Sequence, residues 1–91
     1  MDMQLFCTDL GRLPEVRTIL SKATGQRATD DGVIVEFPDD DATARTLLEF
    51  VLAERRCCAF FGYEIGFSPG LTLRLRASGV YLAPLRLMYG V

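Results

Sequence analysis

The chain contains no histidine. Histidine is the commonest general base near neutral pH and the usual nitrogen ligand of protein-bound zinc. Its absence excludes Ser-His-Asp triads and every metal site that depends on an imidazole. A nucleophile or metal site in this protein must therefore use other side chains.

Cysteine is scarce as well, with three residues at positions 7, 57 and 58. An odd number is a poor disulfide framework for a small secreted protein, so we expect reduced thiols and a cytoplasmic location. Long apolar runs are also missing. The N-terminus does not resemble a signal peptide, and no stretch approaches the roughly 18 apolar residues of a membrane span.

Positive charge is not in excess. Ten Lys and Arg residues face twelve Asp and Glu residues, which gives a formal net charge of −2 and a pI near 5.0. Such a protein does not attract nucleic acid or an anionic membrane surface, so we expect neither as a partner. Because 49% of the 91 residues are hydrophobic and no linker divides them, we predict a single domain over residues 1–91.

The first half of the chain alternates strand and helix patterns. An apolar run over 3–7 is typical of a strand, and apolar residues at helical spacing after Pro14 predict a helix over 13–24. Asp31-Gly32 indicates the turn of a hairpin within 26–37. The aspartates at 39–41 suit the N-terminal cap of a second helix, over about 42–57. The apolar stripe expected on that helix is Ala44, Leu47, Leu48, Val51 and Leu52.

The second half predicts another hairpin and a short helix. Two alternating runs flank Ser68-Pro69-Gly70, and pairing Ile65 with Leu73 places apolar side chains on one face. The same register sets Glu64 opposite Arg74 on the other face. The aromatic residues of this hairpin are expected in the core: Phe60, Phe61, Tyr63 and Phe67. Val80 to Tyr89 is apolar almost all round and predicts a final helix that is covered by the sheet or forms a dimer contact.

The element order predicts an α+β fold. It contains the ferredoxin-like β-α-β-β-α-β sandwich, with an added C-terminal strand and short helix. In that arrangement the first and last strands of the unit are antiparallel neighbours. Cys7 at the end of the first strand would then meet Cys57 and Cys58, which precede the last one, at one edge of the sheet.

The segment Glu54-Arg55-Arg56-Cys57-Cys58 is the sharpest chemical feature. The arginines favour thiolate, whereas the negative C-terminal end of a helix opposes it. Neighbouring residues on a regular helix point about 100° apart, so the two thiols converge only where the helix ends. Three thiolates without nitrogen ligands suit Hg(II), Cu(I), As(III) or Cd(II), and can hold Zn(II) with a water or carboxylate as fourth ligand.

Two other interpretations stay open. Free cysteines are often buried as small hydrophobic residues, and the chain would then be an interaction or structural domain that dimerises through Val80 to Tyr89. Alternatively, Cys57 is the nucleophile of a thiol-based redox or cleavage enzyme, with Glu54, Asp9, Tyr63 or a nearby lysine or arginine-bound water as proton donor. The lack of histidine and of a Cys-x-x-Cys motif disfavours the enzyme. A calcium site at 39–41 is disfavoured because the ligand spacing of an EF-hand is missing.

The segment from Glu54 to Phe61 resembles a signature of small bacterial proteins, in which Glu-Arg-x-Cys-Cys-Pro-Phe-Phe/Leu precedes a β-hairpin. Those proteins are also similar in a first strand that ends near a cysteine, as at Cys7, and in an Asp-Gly strand before the long helix. The resemblance implies a cytosolic protein whose three cysteines belong together, sometimes encoded near or fused to metal- or mercury-responsive regulators. It implies no particular reaction. Ala59 departs from the usual proline.

Overall fold

The computed structural model describes residues 13–57 and 60–91, without the side chains of Leu13 and Cys57. The predicted strand over 3–7 lies outside the described residues. The described elements are, in chain order, α1 (Leu13–Leu20), β1 (Gly25–Thr29), β2 (Gly32–Phe37), α2 (Asp41–Cys57), β3 (Gly62–Gly66), β4 (Leu71–Arg76), a 3₁₀ turn (Gly79–Tyr81) and α3 (Leu82–Met88). The predicted α+β class is confirmed.

The four described strands form one antiparallel sheet in the order β1-β2-β4-β3. This order differs from the ferredoxin-like one, which places the first strand of the unit between the strands corresponding to β2 and β3. Here β4, expected as an added strand, holds that central position. The core-facing side chains of β4 are at most 1% exposed: Leu71, Leu73 and Leu75. A strand with so apolar a face stabilises the sheet most when both of its edges are paired.

The predicted register of the second hairpin is confirmed. Ile65 pairs with Leu73 and Glu64 pairs with Arg74. Leu73 is fully buried and Ile65 is half-buried, so the apolar pair faces the core as expected. Phe67 is an exception among the predicted core aromatics. It lies just beyond β3, and its side chain is 65% exposed.

The first hairpin turns at Asp30 and Asp31, one residue before the predicted position. Gly32 is already the first residue of β2 and pairs with Arg76 of β4. A Cβ atom at Gly32 would lie 1.8 Å from the backbone oxygen of Leu75. Glycine is therefore required here by the close approach of two strands rather than by a positive φ.

Helix α2 confirms the strongest predicted element, but its buried face is rotated from the expected stripe. Leu48 and Leu52 are 50% and 41% exposed, so placing them in the core was wrong. Leu47 and Val51 are buried as expected, and the other buried positions are Phe50 and Glu54. The i, i+3, i+4, i+7 spacing of these four residues defines one helix face, on which Phe50 is buried in place of Leu48 and Leu52.

Helix α1 ends at Leu20, earlier than the predicted boundary at residue 24. The Ser21 hydroxyl donates to the carbonyl oxygen of Thr18 at 2.6 Å, which removes an acceptor from the next helical turn. Thr24 already belongs to the sheet, because its backbone N–H donates to the Glu36 oxygen at 2.7 Å.

The final helix is covered on one side only. Leu85, Met88 and Tyr89 are buried in the hydrophobic core and α3 contacts β2, whereas Val80 and Leu87 are 76% and 81% exposed. Pro84 lies in the first turn of α3, where its missing N–H costs no hydrogen bond. The sheet thus covers part of this segment, and the rest remains available for contact.

Candidate functional site

Cys57 is the last residue of α2. Arg55 and Arg56 in the preceding turn are exposed. Phe61, four residues after Cys57, is buried at 6% exposure, and β3 begins at Gly62. The cysteine pair therefore joins two elements that are each anchored in the core. We call the end of the sheet formed by Gly32, Gly62 and Arg76 the cysteine end.

Cys7 and Cys58 lie outside the described residues, as do Asp9 and Ala59, and of Cys57 only the backbone is described. The predicted meeting of the three thiols therefore lies outside the described residues. That prediction assumed that the strand carrying Cys7 lies next to β3, and in the observed strand order β4 occupies this place.

Glu54 stands out among the residues near Cys57. Its side chain is 0% exposed, and it is the one charged residue found buried among the residues described. It lies on the buried face of α2, one helical turn before Cys57 and Cys58. The carboxylate has an interaction partner in the fold. Sequence reasoning placed Glu54 beside the thiols but missed its burial, although its position seven residues after Leu47 indicated it.

Aromatic rings fix the chain just after the cysteine pair. The ring of Phe60 stacks on that of Tyr81 with centroids 4.3 Å apart and an angle of 17°. Phe60 also meets Phe61 edge-on, with centroids 4.9 Å apart and an angle of 83°. These contacts tie the segment after the cysteines to the 3₁₀ turn before α3. The rings pack against one another and against the core, as predicted for a hairpin core.

Ion pairs cross the outer face of the sheet at the cysteine end. Asp31 lies 3.7 Å from the Arg74 guanidinium and 3.5 Å from that of Arg76. Glu64, which is opposite Arg74 in the register, makes its ion pair with Arg76 at 3.3 Å. All of these groups are partly exposed, so each pair stabilises the fold only modestly.

Asp40, the residue just before α2, caps the helix. The backbone N–H of Thr43 donates to Oδ1 of Asp40 at 2.8 Å. This hydrogen bond to the carboxylate lowers the pKa of Asp40. Within residues 13–57 and 60–91, no three His, Cys, Asp or Glu side chains are grouped as a metal site would require.

No family model, curated protein or solved structure matches this chain. The described helices are all too short or too polar to cross a membrane.

Proposed function

We propose that this protein binds a soft metal or metalloid ion through Cys7, Cys57 and Cys58. The candidate ions are Hg(II), Cu(I), As(III), Cd(II) and Zn(II). The observation that carries the proposal is that Cys57 lies in the last turn of α2 with Arg55 and Arg56. Two vicinal thiols on a regular helix would point about 100° apart, so the proposal requires the chain to leave helical geometry after Cys57. Vicinal thiols at such a point are able to share one ion.

The charge around the helix end supports thiolate modestly. Arg55 and Arg56 bring positive charge to the last turn, and both are exposed, so solvent screens much of their effect. The helix end itself disfavours an anion. Metal coordination, rather than the arginines alone, must therefore supply most of the stabilisation of the thiolates.

The role of Cys7 rests on the resemblance to the small bacterial proteins, in which the three cysteines belong together. The ferredoxin-like arrangement would also place Cys7 near the cysteine pair, but only if its strand lay between β2 and β3. In the observed sheet β4 lies there. The same resemblance supports a cytoplasmic role connected with metal-responsive regulation. We keep Cys7 as the third ligand, because a soft ion is held more tightly by three thiolates than by two.

Metal titration of the reduced protein under anaerobic conditions tests the proposal. Hg(II), Cu(I), As(III), Cd(II) and Zn(II) are each added while thiolate-to-metal absorption or competition with a chelator is followed. We expect one ion per chain and an affinity reduced by at least about tenfold in Cys57→Ser and in Cys58→Ser, with a similar loss in Cys7→Ser. Circular dichroism shows that each variant is folded. Weak binding that none of the three substitutions changes would contradict the proposal.

The thiol-enzyme alternative makes a different prediction for the metal-free protein. A nucleophilic Cys57 should ionise well below the ordinary thiol pKa of about 8.5. Alkylation rates measured as a function of pH determine this value. Three ordinary thiols that bind metal would support the binding protein and exclude a preactivated nucleophile.

We also propose homodimerisation through the exposed side of the segment Val80 to Tyr89. Leu87 and Val80 are largely exposed, and a cleft of about 760 Å³ lies beside Leu87 between α1 and α3. The cleft is lined by Arg17, Leu20, Ala83, Pro84, Leu87, Met88 and Gly90. Exposed leucine beside an apolar cleft favours contact with a second apolar surface.

Light scattering of the wild type and of Leu87→Asp tests this second proposal. We expect a wild-type dimer that Leu87→Asp converts to a monomer. Leu48→Asp, at a half-exposed position on α2, is the matched control and should leave the dimer intact. A wild-type protein that stays monomeric at all concentrations would rule this surface out as a homodimer contact.

A further inference from the structure

The cleft between α1 and α3 has the size and the lining of a site for a small apolar ligand. Its volume of about 760 Å³ lies within the range of about 300–1,000 Å³ that is typical of ligand pockets. Met88 lines it and is only 7% exposed, so the cleft reaches the hydrophobic core. Leu87 lines it from α3 and is largely exposed, so the cleft is also open to solvent. Apart from Arg17, the described residues of the lining are all apolar or glycine.

Arg17 gives this cleft a positive charge. It lies on α1 and is exposed, and its guanidinium forms no ion pair with the described residues. The arginines of the sheet differ, as Arg27 shows by its ion pair with Glu36 at 3.1 Å. No Asp or Glu is found among the described residues that line the cleft. Arg17 is therefore available to an anion that enters it.

A second cleft adjoins the first and has the same charge. The two clefts share Ala83 and Leu87, and Arg86 lines the second one. The Arg86 guanidinium donates to the backbone oxygens of Thr29 and Asp30 but forms no ion pair with a described carboxylate. In the described part of the chain, no acidic residue lines this second cleft either. The two clefts thus form a locally positive surface on a protein whose formal net charge is −2.

We infer that the cleft between α1 and α3 binds a small anionic amphiphile, an alkyl carboxylate of the fatty-acid class. The alkyl chain lies against Leu20 and Met88, where it leaves water. The carboxylate pairs with Arg17, whose planar guanidinium donates two parallel hydrogen bonds to such a group. This ligand site does not depend on the proposed metal site. Because it includes Leu87, a bound carboxylate competes with the second copy of the proposed homodimer.

Two amphiphiles of opposite charge test the role of the carboxylate. Decanoate and decylammonium have alkyl chains of similar length, and each is added below its micelle-forming concentration while the methyl signals of Leu87 and Met88 are followed by NMR. We expect one decanoate per chain, and decylammonium that binds at least about fivefold more weakly. The charge of the whole protein predicts the opposite order, because a net charge of −2 attracts a cation. Decylammonium that binds as tightly as decanoate would overturn the proposal.

Arg17→Gln separates the ion pair from apolar adsorption. We expect the affinity for decanoate to fall about three- to fivefold and the affinity for decylammonium not to fall. Arg45→Gln is the matched control, because it removes the same charge from an exposed position on α2. Both affinities should stay within about twofold in this control, since solvent screens a distant charge. Circular dichroism shows that both variants are folded. Equal losses of decanoate affinity in the two variants would contradict the role of Arg17.

The ligand site and the homodimer contact fail separately. Light scattering with and without decanoate measures the competition, and we expect decanoate to convert the dimer to a monomer. A protein that is monomeric at all concentrations and still binds decanoate in the cleft overturns the homodimer contact and supports the ligand site. A protein in which decanoate leaves the methyl signals of Leu87 and Met88 unchanged overturns the ligand site.

Discussion

The two ends of the sheet hold their neighbouring segments in different ways. At the cysteine end, Asp31 pairs with two arginines of β4, and Arg86 of α3 donates to the backbone oxygen of Thr29. At the opposite end, formed by Phe37, Gly66 and Leu71 and here called the loop end, Phe67 is 65% exposed. The fold is therefore braced where the cysteine pair enters it. Under the proposed function, an ion bound beside this braced end would require little reorganisation of the sheet.

The largest expected effect comes from adding one methyl group at the cysteine end. Gly32→Ala forces a Cβ to within 1.8 Å of the Leu75 oxygen, so β2 and β4 must separate. We expect a loss of about 3 kcal/mol in the free energy of unfolding, the upper range for overpacking. Gly70→Ala at the loop end is the control. Its Cβ meets nothing within 4 Å, and its change should stay within about 0.5 kcal/mol. Urea denaturation measures both, and equal losses would show that the two ends do not differ.

An intermediate effect is expected at Arg86. Its guanidinium donates to the backbone oxygens of Thr29 and Asp30, which joins α3 to the turn of the first hairpin. Arg86→Met keeps the packing of the side-chain stem and removes these bonds. We expect a loss of about 1.5–3 kcal/mol, as for hydrogen bonds from charged groups. Arg45→Met, at an exposed position of α2, is the matched control and should cost less than about 0.5 kcal/mol. A cost at Arg86 no larger than that at Arg45 would show that this brace is unimportant.

The smallest effect is expected at Asp40, beside the loop end, and it depends on pH. The folded protein lowers the pKa of Asp40, so its carboxylate stabilises the fold above the ordinary carboxyl range. That contribution is lost as the pH falls through the lowered pKa. Asp40→Asn keeps an oxygen acceptor without the charge. We expect its urea midpoint to lie slightly below that of the wild type near neutral pH and to match it in acid. A difference that is the same at both pH values would contradict this role.

Local patterns predicted most of the hairpins and helices. The register of β3 and β4 followed from alternating apolar residues and opposed charges, such as Glu64 and Arg74, because both signals act between residues close in the chain. The cap at Asp40 was also predicted from a local signal, the aspartates that precede the apolar helical pattern. The strand order did not, because both 3–7 and 71–76 carry strand patterns. Which of them lies beside β2 depends on pairing between distant segments, which periodicity does not encode.

The candidate site was predictable as a set of residue types but not as an arrangement. Cys57 and its two arginines were correctly expected at the end of α2. The burial of Glu54 was missed because a glutamate is ordinarily assigned to the solvent face. Phe50 and Glu54 are buried whereas Leu48 and Leu52 are exposed, so the buried face includes the glutamate and excludes two leucines of the expected stripe.

The stacked rings of Phe60 and Tyr81 make the cysteine end optically visible. The chain has no tryptophan and only three tyrosines, so its ultraviolet emission arises from very few rings. One of those rings, that of Tyr81, stacks face to face on Phe60, which directly follows the Cys57–Ala59 segment. Any ion that shifts this segment should alter the surroundings of Tyr81. Tyrosine emission therefore offers an unlabelled signal of occupancy even for ions, such as Zn(II), whose thiolate complexes absorb weakly.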